Sequence, residues 1–400
     1  MHIKKQIFKL YAIDFLGSFN LTDNVWMLLL LARGFTLWQA GLCEGVFHLV
    51  SFLAEIPSGM LADIYGRRRI MTASALVFAL ASVLMIASQS LGGVCLAMGL
   101  NALGYNLASG TREALTYDSL KEVNDAARYI KVSSWQTTIW RGTRAVVQLL
   151  AGVALRLGYF VCYSLHIGTS LVSAAVSATL TEAKPSGGAQ PQAFSLAKLP
   201  HMLLDKAQSA IAFLRQKPIA LLYMLSANGV GGIITLMGFF IQQHFVANGA
   251  GGTAVLGPLL FAVSLGGVAG AKLAVPASRL RFTKLIMVFG LLASFALMLC
   301  SAKLPPLAAL GGFCAMLCDE VLATVTDLRL NDMFPSAERA TLVSVNSMVF
   351  SLVMITFSPI LGLACDTLGT SAAFAICAAV LLAFTVLGRF VLYCTNKKPG

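Results

Sequence analysis

The chain has 400 residues, of which 58% are hydrophobic and only 12% are charged, and its formal net charge is +12. Soluble domains usually carry about a quarter charged residues, so this composition argues against a soluble protein or a soluble enzyme. The positive charge does not indicate nucleic-acid binding, because Lys and Arg occur in short clusters between long apolar runs. The composition therefore predicts an integral membrane protein in contact with a lipid bilayer.

Twelve apolar runs are long enough to cross a bilayer as helices, since a hydrocarbon core of about 30 Å needs about 20 helical residues. The first run follows Lys4, Lys5 and Lys9, and it contains Asp14 and Asp23. We interpret it as an uncleaved span with a cytoplasmic N-terminus. The predicted spans are 8–31, 37–62, 70–90, 93–117, 134–156, 159–181, 219–243, 253–275, 284–302, 306–328, 340–363 and 368–393.

Basic residues are distributed unevenly between the connections of these spans. With the N-terminus inside, the cytoplasmic segments hold most of the Lys and Arg residues, whereas the outer loops hold only Arg33, Arg156 and Lys303. The positive-inside rule therefore predicts that both termini are cytoplasmic.

A polar segment at 182–217 separates two groups of six spans, 1–181 and 218–400. It begins with linker composition and continues with apolar and basic residues at helical spacing, which indicates an amphipathic helix on the inner membrane surface. The two halves resemble one another, because residues 126–133 match residues 337–344 at four of eight positions with an offset of 211. Such internal repeats are typical of transporters.

The nine cysteines include no Cys-x-x-Cys pair, and nearly all lie inside the apolar runs. A disulfide framework or a zinc site is therefore not expected. The chain also has no Walker loop, Rossmann pattern or nucleophile elbow, so we expect no cofactor, no ATP-driven transport and no enzymatic activity.

The connection after the second span reads Glu-Ile-Pro-Ser-Gly-Met-Leu-Ala-Asp-Ile-Tyr-Gly-Arg-Arg-Arg over residues 55–69. In this segment Gly59 would let two helices approach closely, Gly66 would permit a tight turn, and Asp63 would pair with a cation or a helix N-terminus. The segment resembles the signature loop of the major facilitator superfamily, and its first five residues resemble a bacterial drug-efflux-like group within it.

The resemblance implies an all-α integral membrane protein with about 12 transmembrane helices in two pseudo-symmetric six-helix bundles. In that family the loop locks the outward-open state, which implies that Asp63 engages the opposite half and that Arg67 pairs with Asp118. Arg68 marks the inner face. The alternative is that these charges only orient the protein in the membrane.

The sequence departs from the family pattern in two places. Ala274 stands where the second-half copy of the loop would have an acid, so we expect a one-sided gate. The fifth span reads Trp-Arg-Gly-Thr-Arg over residues 140–144 in place of the glycine–proline element common in proton antiporters.

Ionisable residues at membrane depth are costly, so they usually face a cavity or a partner. Asp319 and Glu320 are adjacent and lie midway along the tenth span. Two close carboxylates in a low dielectric should raise the proton affinity of at least one of them. We expect one to bind protons or a cationic substrate, the alternative being an internal salt bridge.

Two further pairs share a helix face. Glu44 and His48 are four residues apart on the second span, where they would pass protons or form a polar packing cluster. Arg141 and Arg144 on the fifth span would bind an anion or pair with Asp14, Glu55 or Glu113. By family analogy, Asn20, Asn106 and Asn228 would line the cavity, although single asparagines in membrane helices often join helices together.

Our leading hypothesis is a secondary transporter working by alternating access. It would act as a monomer in a bacterial cytoplasmic membrane and export small amphipathic, cationic molecules in exchange for protons. The alternatives are uptake of a specific organic anion or nutrient through Arg141 or Arg144, and a receptor that keeps the fold without transport.

Overall fold

The computed structural model describes residues 2–23, 25–182, 218–333 and 339–396, together with the isolated positions 208 and 215. These residues form α-helices joined by short turns. The helices are α1 (Ile3–Ser18), α2 (Trp26–Leu31), α3 (Leu37–Tyr65), α4 (Arg67–Ala87), α5 (Leu91–Ala108), α6 (Thr111–Glu122), α7 (Tyr129–Leu149), α8 (Ala151–Ala178), α9 (Pro218–Phe245), α10 (Leu256–Ala277), α11 (Phe282–Cys300), α12 (Pro305–Met333), α13 (Arg339–Leu368) and α14 (Thr370–Asn396).

Ten segments of the described chain are helical, long and apolar enough to cross a membrane. They correspond to ten of the twelve predicted spans, with α5 and α6 together forming the fourth. The other two predicted spans differ for distinct reasons. The first is interrupted between Ser18 and Trp26. The fifth, 134–156, is divided between α7 and α8, and its α7 part is more polar because it carries Arg141 and Arg144.

Short polar segments cause the interruptions. After α1, the Asn20 carboxamide oxygen accepts hydrogen bonds from the backbone N–H and the hydroxyl of Thr22, at 3.0 and 2.7 Å. Such side-chain bonds compete with helical ones. Between α5 and α6, Gly110 has a φ of 71°, a left-handed conformation that side chains with a Cβ rarely adopt.

The helices cluster into two units by their contacts. One unit comprises the described residues within Met1–Trp26 and Val46–Asp205, and the other those within Met27–Gly45 and Lys206–Gly400. The boundary therefore falls inside α3 as well as in the central segment. Most of that segment, the predicted linker 182–217, lies outside the described residues, and the predicted domain limits stay a prediction.

Each unit has its own apolar interior. In the first unit α4 packs against α5 and α8, and α1 packs against α7 and α8. In the second unit α12 is central, because it packs against α9, α10 and α11. Many large apolar side chains on the outside are exposed, such as Leu80, Phe160 and Phe295. Apolar outer faces suit a protein surrounded by lipid, which cannot satisfy polar groups.

Candidate functional site

The signature loop joins α3 to α4 within the first unit. Gly66 has a φ of 90°, so the tight turn expected there is present. The Arg67 guanidinium forms an ion pair with the Asp118 carboxylate on α6, the partner that the family resemblance implied. The loop is thereby tied to the end of the fourth predicted span.

A carboxylate also caps the start of α4. Glu182 accepts hydrogen bonds from the backbone N–H groups of Arg67 and Arg68, at 2.8 and 2.9 Å. An acid at a helix N-terminus satisfies unpaired N–H groups and interacts favourably with the helix dipole. Asp63 is exposed at the end of α3. A methyl group on Gly59 would meet no atom of the described residues within 4 Å, so its role in a close helix approach stays a prediction.

In the second unit, hydrogen bonds to backbone carbonyls hold the loop that corresponds to the signature loop of the first unit. Arg329 on α12 donates from one Nη to the carbonyl oxygens of Ser278 and Leu280, at 2.7 and 3.3 Å. The offset of 211 residues that relates the two halves places Arg329 on Asp118 and Ser278 on Arg67. The positively charged residue is therefore on the loop in the first half and on the helix in the second half. Although Ala274 replaces the expected acid, this loop is tied to its own helix too; the one-sided gate stays a prediction.

Replacing Arg329 with glutamine should loosen the 278–280 loop and destabilise the second unit by about 1–3 kcal/mol, the usual cost of losing charged hydrogen bonds. Thermal unfolding of the purified protein would measure the loss. Arg279→Gln is the matched control, because it removes an exposed positive charge from the same loop. Equal destabilisation by both variants would show that charge, and not the carbonyl contact, matters.

Asp319 and Glu320 point to different neighbours. Asp319 on α12 is half-buried, and a methyl group added to Gly231 on α9 would lie 2.7 Å from its Oδ1 atom. Glu320 faces α10 instead, with its Cβ atom 2.9 Å from a methyl group added to Gly270. In the described part of the chain, Asp319 forms no ion pair or hydrogen bond.

The predicted asparagines join helices or shape turns. Asn106 is buried and donates to Ser51 on α3 at 2.9 Å. Asn228 on α9 donates to the side-chain oxygen of Asn346 on α13 at 2.8 Å. The sequence analysis did not single out Asn346, since no local pattern shows which asparagine faces another across two helices. Glu44 and His48 are both buried on α3 and fall on opposite sides of the boundary between the two units.

Arg144 has a partner that we did not predict. Its Nη1 atom lies 3.0 Å from Oδ2 of Asp23, in the interruption of the first span. The expected partners Asp14 and Glu113 are instead bound to Arg112, at 2.9 and 2.8 Å, so the predicted pairing of Arg144 with either acid is wrong. Arg141 is exposed one turn earlier on α7.

A close contact joins α3 and α13 within the second unit. Asp366 accepts hydrogen bonds from the backbone N–H groups of Leu37 and Trp38, the first two residues of α3, at 3.0 and 2.7 Å. One turn along, the Ser358 hydroxyl donates to the Gly41 carbonyl at 2.8 Å. A methyl group on Gly41 would collide with the Ser358 carbonyl oxygen. The two backbones therefore touch only because residue 41 has no side chain.

No group of three or more His, Cys, Asp and Glu side chains able to hold a metal ion is present among the described residues.

The sequence matches the Major Facilitator Superfamily over residues 8–315 and 262–400. The chain belongs to this family, a class of membrane transporters. It is a multi-pass membrane protein with an all-α transporter fold, and the family implies a small-molecule substrate.

Several solved structures share the fold. The nucleoside transporter NupG matches with a TM-score of 0.77 and 15% identity, covering 100% of both chains. A bacterial homolog to the human lysosomal transporter Spinster has a TM-score of 0.73 and 13% identity, over 99% of this chain and 96% of that one. A D-xylose-proton symporter has a TM-score of 0.67 and 12% identity, over 96% of each chain. No curated protein sequence matches the chain significantly.

Proposed function

We propose that the protein is a proton-coupled secondary transporter that works by alternating access and exports small amphipathic organic molecules. The observation that carries this proposal is the position of Asp319. It lies midway between Pro305 and Met333, the ends of α12, and the described residues supply it with no counter-ion. A carboxylate at that depth without a counter-ion, next to a second acid, is costly while charged, which favours states in which it holds a proton or a cation.

Competition for one carboxylate gives a simple route to exchange. A proton neutralises Asp319 on one side of the membrane, and a cationic substrate displaces that proton on the other side. Neither ligand binds well while the other is bound, so downhill proton entry drives the substrate outward. The small residue Gly231 leaves room for the carboxylate on the α9 side.

Movement of the two halves supplies alternating access in this proposal. The Arg67–Asp118 pair and the Arg329 contacts hold each cytoplasmic loop to its own helix, so each half would move as a body. Asp63 would engage the opposite half in one state. The contact of Asp366 with the start of α3 would have to open in another.

We place the transporter, as a monomer, in a bacterial cytoplasmic membrane with both termini in the cytoplasm. The clusters of Lys and Arg between the apolar helices support this orientation.

Uptake of an organic anion is the second candidate, and the position of Arg144 favours it. This guanidinium lies within the fifth predicted span and remains partly exposed, with 37% of its side-chain surface accessible. Under this alternative the protein imports a carboxylated nutrient that Arg144 recognises.

The test follows accumulation of a fluorescent lipophilic cation in an efflux-deficient bacterium that expresses the protein. We expect lower accumulation than in cells carrying an empty vector, and we expect a proton uncoupler to abolish the difference. Unchanged accumulation across a panel of cations would contradict cation export. Protein-dependent uptake of a labelled carboxylate would then favour the anion alternative.

A further inference from the structure

A polar stripe runs along α7. Thr137, Arg141, Arg144 and Gln148 are spaced four, three and four residues apart, which places them on one face of the helix. All four are at least partly exposed. The stripe extends over about three turns of the helix.

This stripe lies within the fifth predicted span, 134–156, which places it at membrane depth if that span crosses the bilayer. The helical path from Tyr129 continues past the end of α7 to Gly158, where the backbone turns with a φ of 79°. Arg144 is near the middle of this path, about 22 Å from its start. An exposed guanidinium at that depth would be very costly against lipid, so the stripe faces water or a polar ligand.

Asp23, in the interruption of the first predicted span, lies against this stripe. Asp23 and Arg144 form an ion pair of 3.0 Å and leave 31% and 37% of their side-chain surfaces exposed. The Arg144 guanidinium carbon also lies 5.0 Å from the centre of the Trp140 ring. An aromatic face therefore adjoins an accessible pair of opposite charges.

A hydrogen bond within the turn fixes the orientation of Asp23. Asn20 donates a hydrogen bond to Oδ1 of Asp23 at 2.7 Å, while its own oxygen is engaged by Thr22. Asn20 therefore shapes the turn and orients Asp23, leaving Oδ2 toward Arg144. Interruptions of this kind in membrane helices commonly form substrate sites in transporters.

We propose that Asp23, Trp140 and Arg144 form a binding site for a zwitterionic organic molecule with an apolar or aromatic part. The ligand carboxylate replaces Asp23 on Arg144, the ligand ammonium replaces Arg144 on Asp23, and the apolar part lies on Trp140. This inference rests on the proposed transport function and adds that the amphipathic substrate carries a carboxylate as well as its positive charge.

The charges of the pair select this ligand class. A ligand with one charge that separates the pair leaves either Asp23 or Arg144 without its charged partner, and the binding energy of that pair is lost. A zwitterion supplies both partners at once. An α-amino acid carries the two charges close together, as the short distance between the two side chains requires.

Binding of three probes to the purified full-length protein in detergent tests the proposal without a proton gradient. L-Phenylalanine, 2-phenylethylamine and 3-phenylpropionate share a phenyl ring and carry both charges, the positive charge alone or the negative charge alone. We expect L-phenylalanine to raise the midpoint of thermal unfolding by several degrees and to bind at least tenfold more tightly than either analogue.

Two variants and a matched control locate the binding. Asp23→Asn and Arg144→Gln should each weaken L-phenylalanine binding at least tenfold. Arg128→Gln should leave it unchanged, because it removes the same charge from the exposed pair that Arg128 forms with Asp125 at 3.7 Å.

A charge exchange separates a site from a purely structural ion pair. Asp23→Arg combined with Arg144→Asp restores the pair but moves the guanidinium to the other helix and away from its position over Trp140. We expect this variant to fold normally and to bind L-phenylalanine at least tenfold more weakly.

Three outcomes would overturn the inference. They are full binding by the charge-exchanged variant, tighter binding of a singly charged analogue, and no binding of any probe to the wild type. Failure of proton-driven export with these binding results intact would overturn the proposed function and leave the site standing.

Discussion

Replacing Asp319 with asparagine should reduce proton-driven export at least tenfold, and exchange of labelled for unlabelled substrate should fall as well. An amide keeps the size of the carboxylate, but it cannot gain or lose a proton at physiological pH and carries no charge to attract the cationic substrate. Transport driven by an imposed pH gradient, compared with exchange at equal pH on both sides in reconstituted vesicles, measures the two quantities separately.

The neighbouring acid is the natural control. Glu320 is adjacent in sequence but faces α10 near Gly270, whereas Asp319 faces α9 near Gly231. Glu320→Gln should therefore change proton-driven export less than threefold. The reverse pattern, with loss in Glu320→Gln and normal coupling in Asp319→Asn, would assign the proton to Glu320.

A third outcome is also informative. If both single variants and the double variant retain export that a pH gradient drives, neither Asp319 nor Glu320 carries the coupling proton. The proposal for Asp319 would then be wrong, although the family and the fold would be unaffected.

The sequence predicted the architecture well because lipid imposes a strong constraint. Runs of about 20 apolar residues have few alternatives to a membrane helix, so ten predicted spans correspond to helices that satisfy the same criterion in the structure. The loop at 55–69 likewise indicated the family, and its Arg67–Asp118 pair is present.

Local interruptions were harder to predict. The segment from Asn20 to Asp23 lies inside a long apolar run, and its effect depends on side-chain hydrogen bonds that compete with the helix. The polar residues of this segment favour turns, so they were nevertheless a sequence signal for an interrupted helix. The Ser109–Gly110 break before α6 was another, since this pair often bends helices.

Long-range partners were not predictable from spacing alone. Arg144 was expected to meet Asp14 or Glu113, but Arg112 binds both, and Arg144 binds Asp23 instead. A contact of Arg329 with the loop could have been predicted from the sequence, because the repeat offset places Arg329 on Asp118. However, the sequence similarity between the two halves is confined to loop segments, so it does not mark the helix position that contacts the loop.

Asp366→Ala should favour conformations in which the start of α3 separates from the end of α13. The carboxylate satisfies the first two N–H groups of α3 and lies at the positive end of its helix dipole, an arrangement that contributes about 1–2 kcal/mol. Its loss should therefore shift a two-state equilibrium about 5- to 30-fold.

Two native thiols report on this contact. Cys43 on α3 and Cys365 on α13 are both buried. Labelling by a membrane-impermeant maleimide should rise about tenfold at both cysteines in Asp366→Ala, in proportion to the shift. Asp366→Asn should give an intermediate rise, because the amide oxygen still accepts a hydrogen bond but carries no charge.

Cys300 at the end of α11 distinguishes opening from general loosening, since it is equally buried and lies on another helix. Its labelling should stay unchanged in Asp366→Ala. A parallel rise at Cys300 would mean that the variant destabilises the whole unit, and unchanged labelling at Cys43 and Cys365 would mean that Asp366 does not hold the contact closed.

The spacing Gly-x-x-x-Asp occurs at Gly362–Asp366 and again at Gly59–Asp63, the opposite end of α3. A selective rise would therefore support a cycle in which α3 is held at one end by Asp366 and, in the alternate state, at the other end through Asp63.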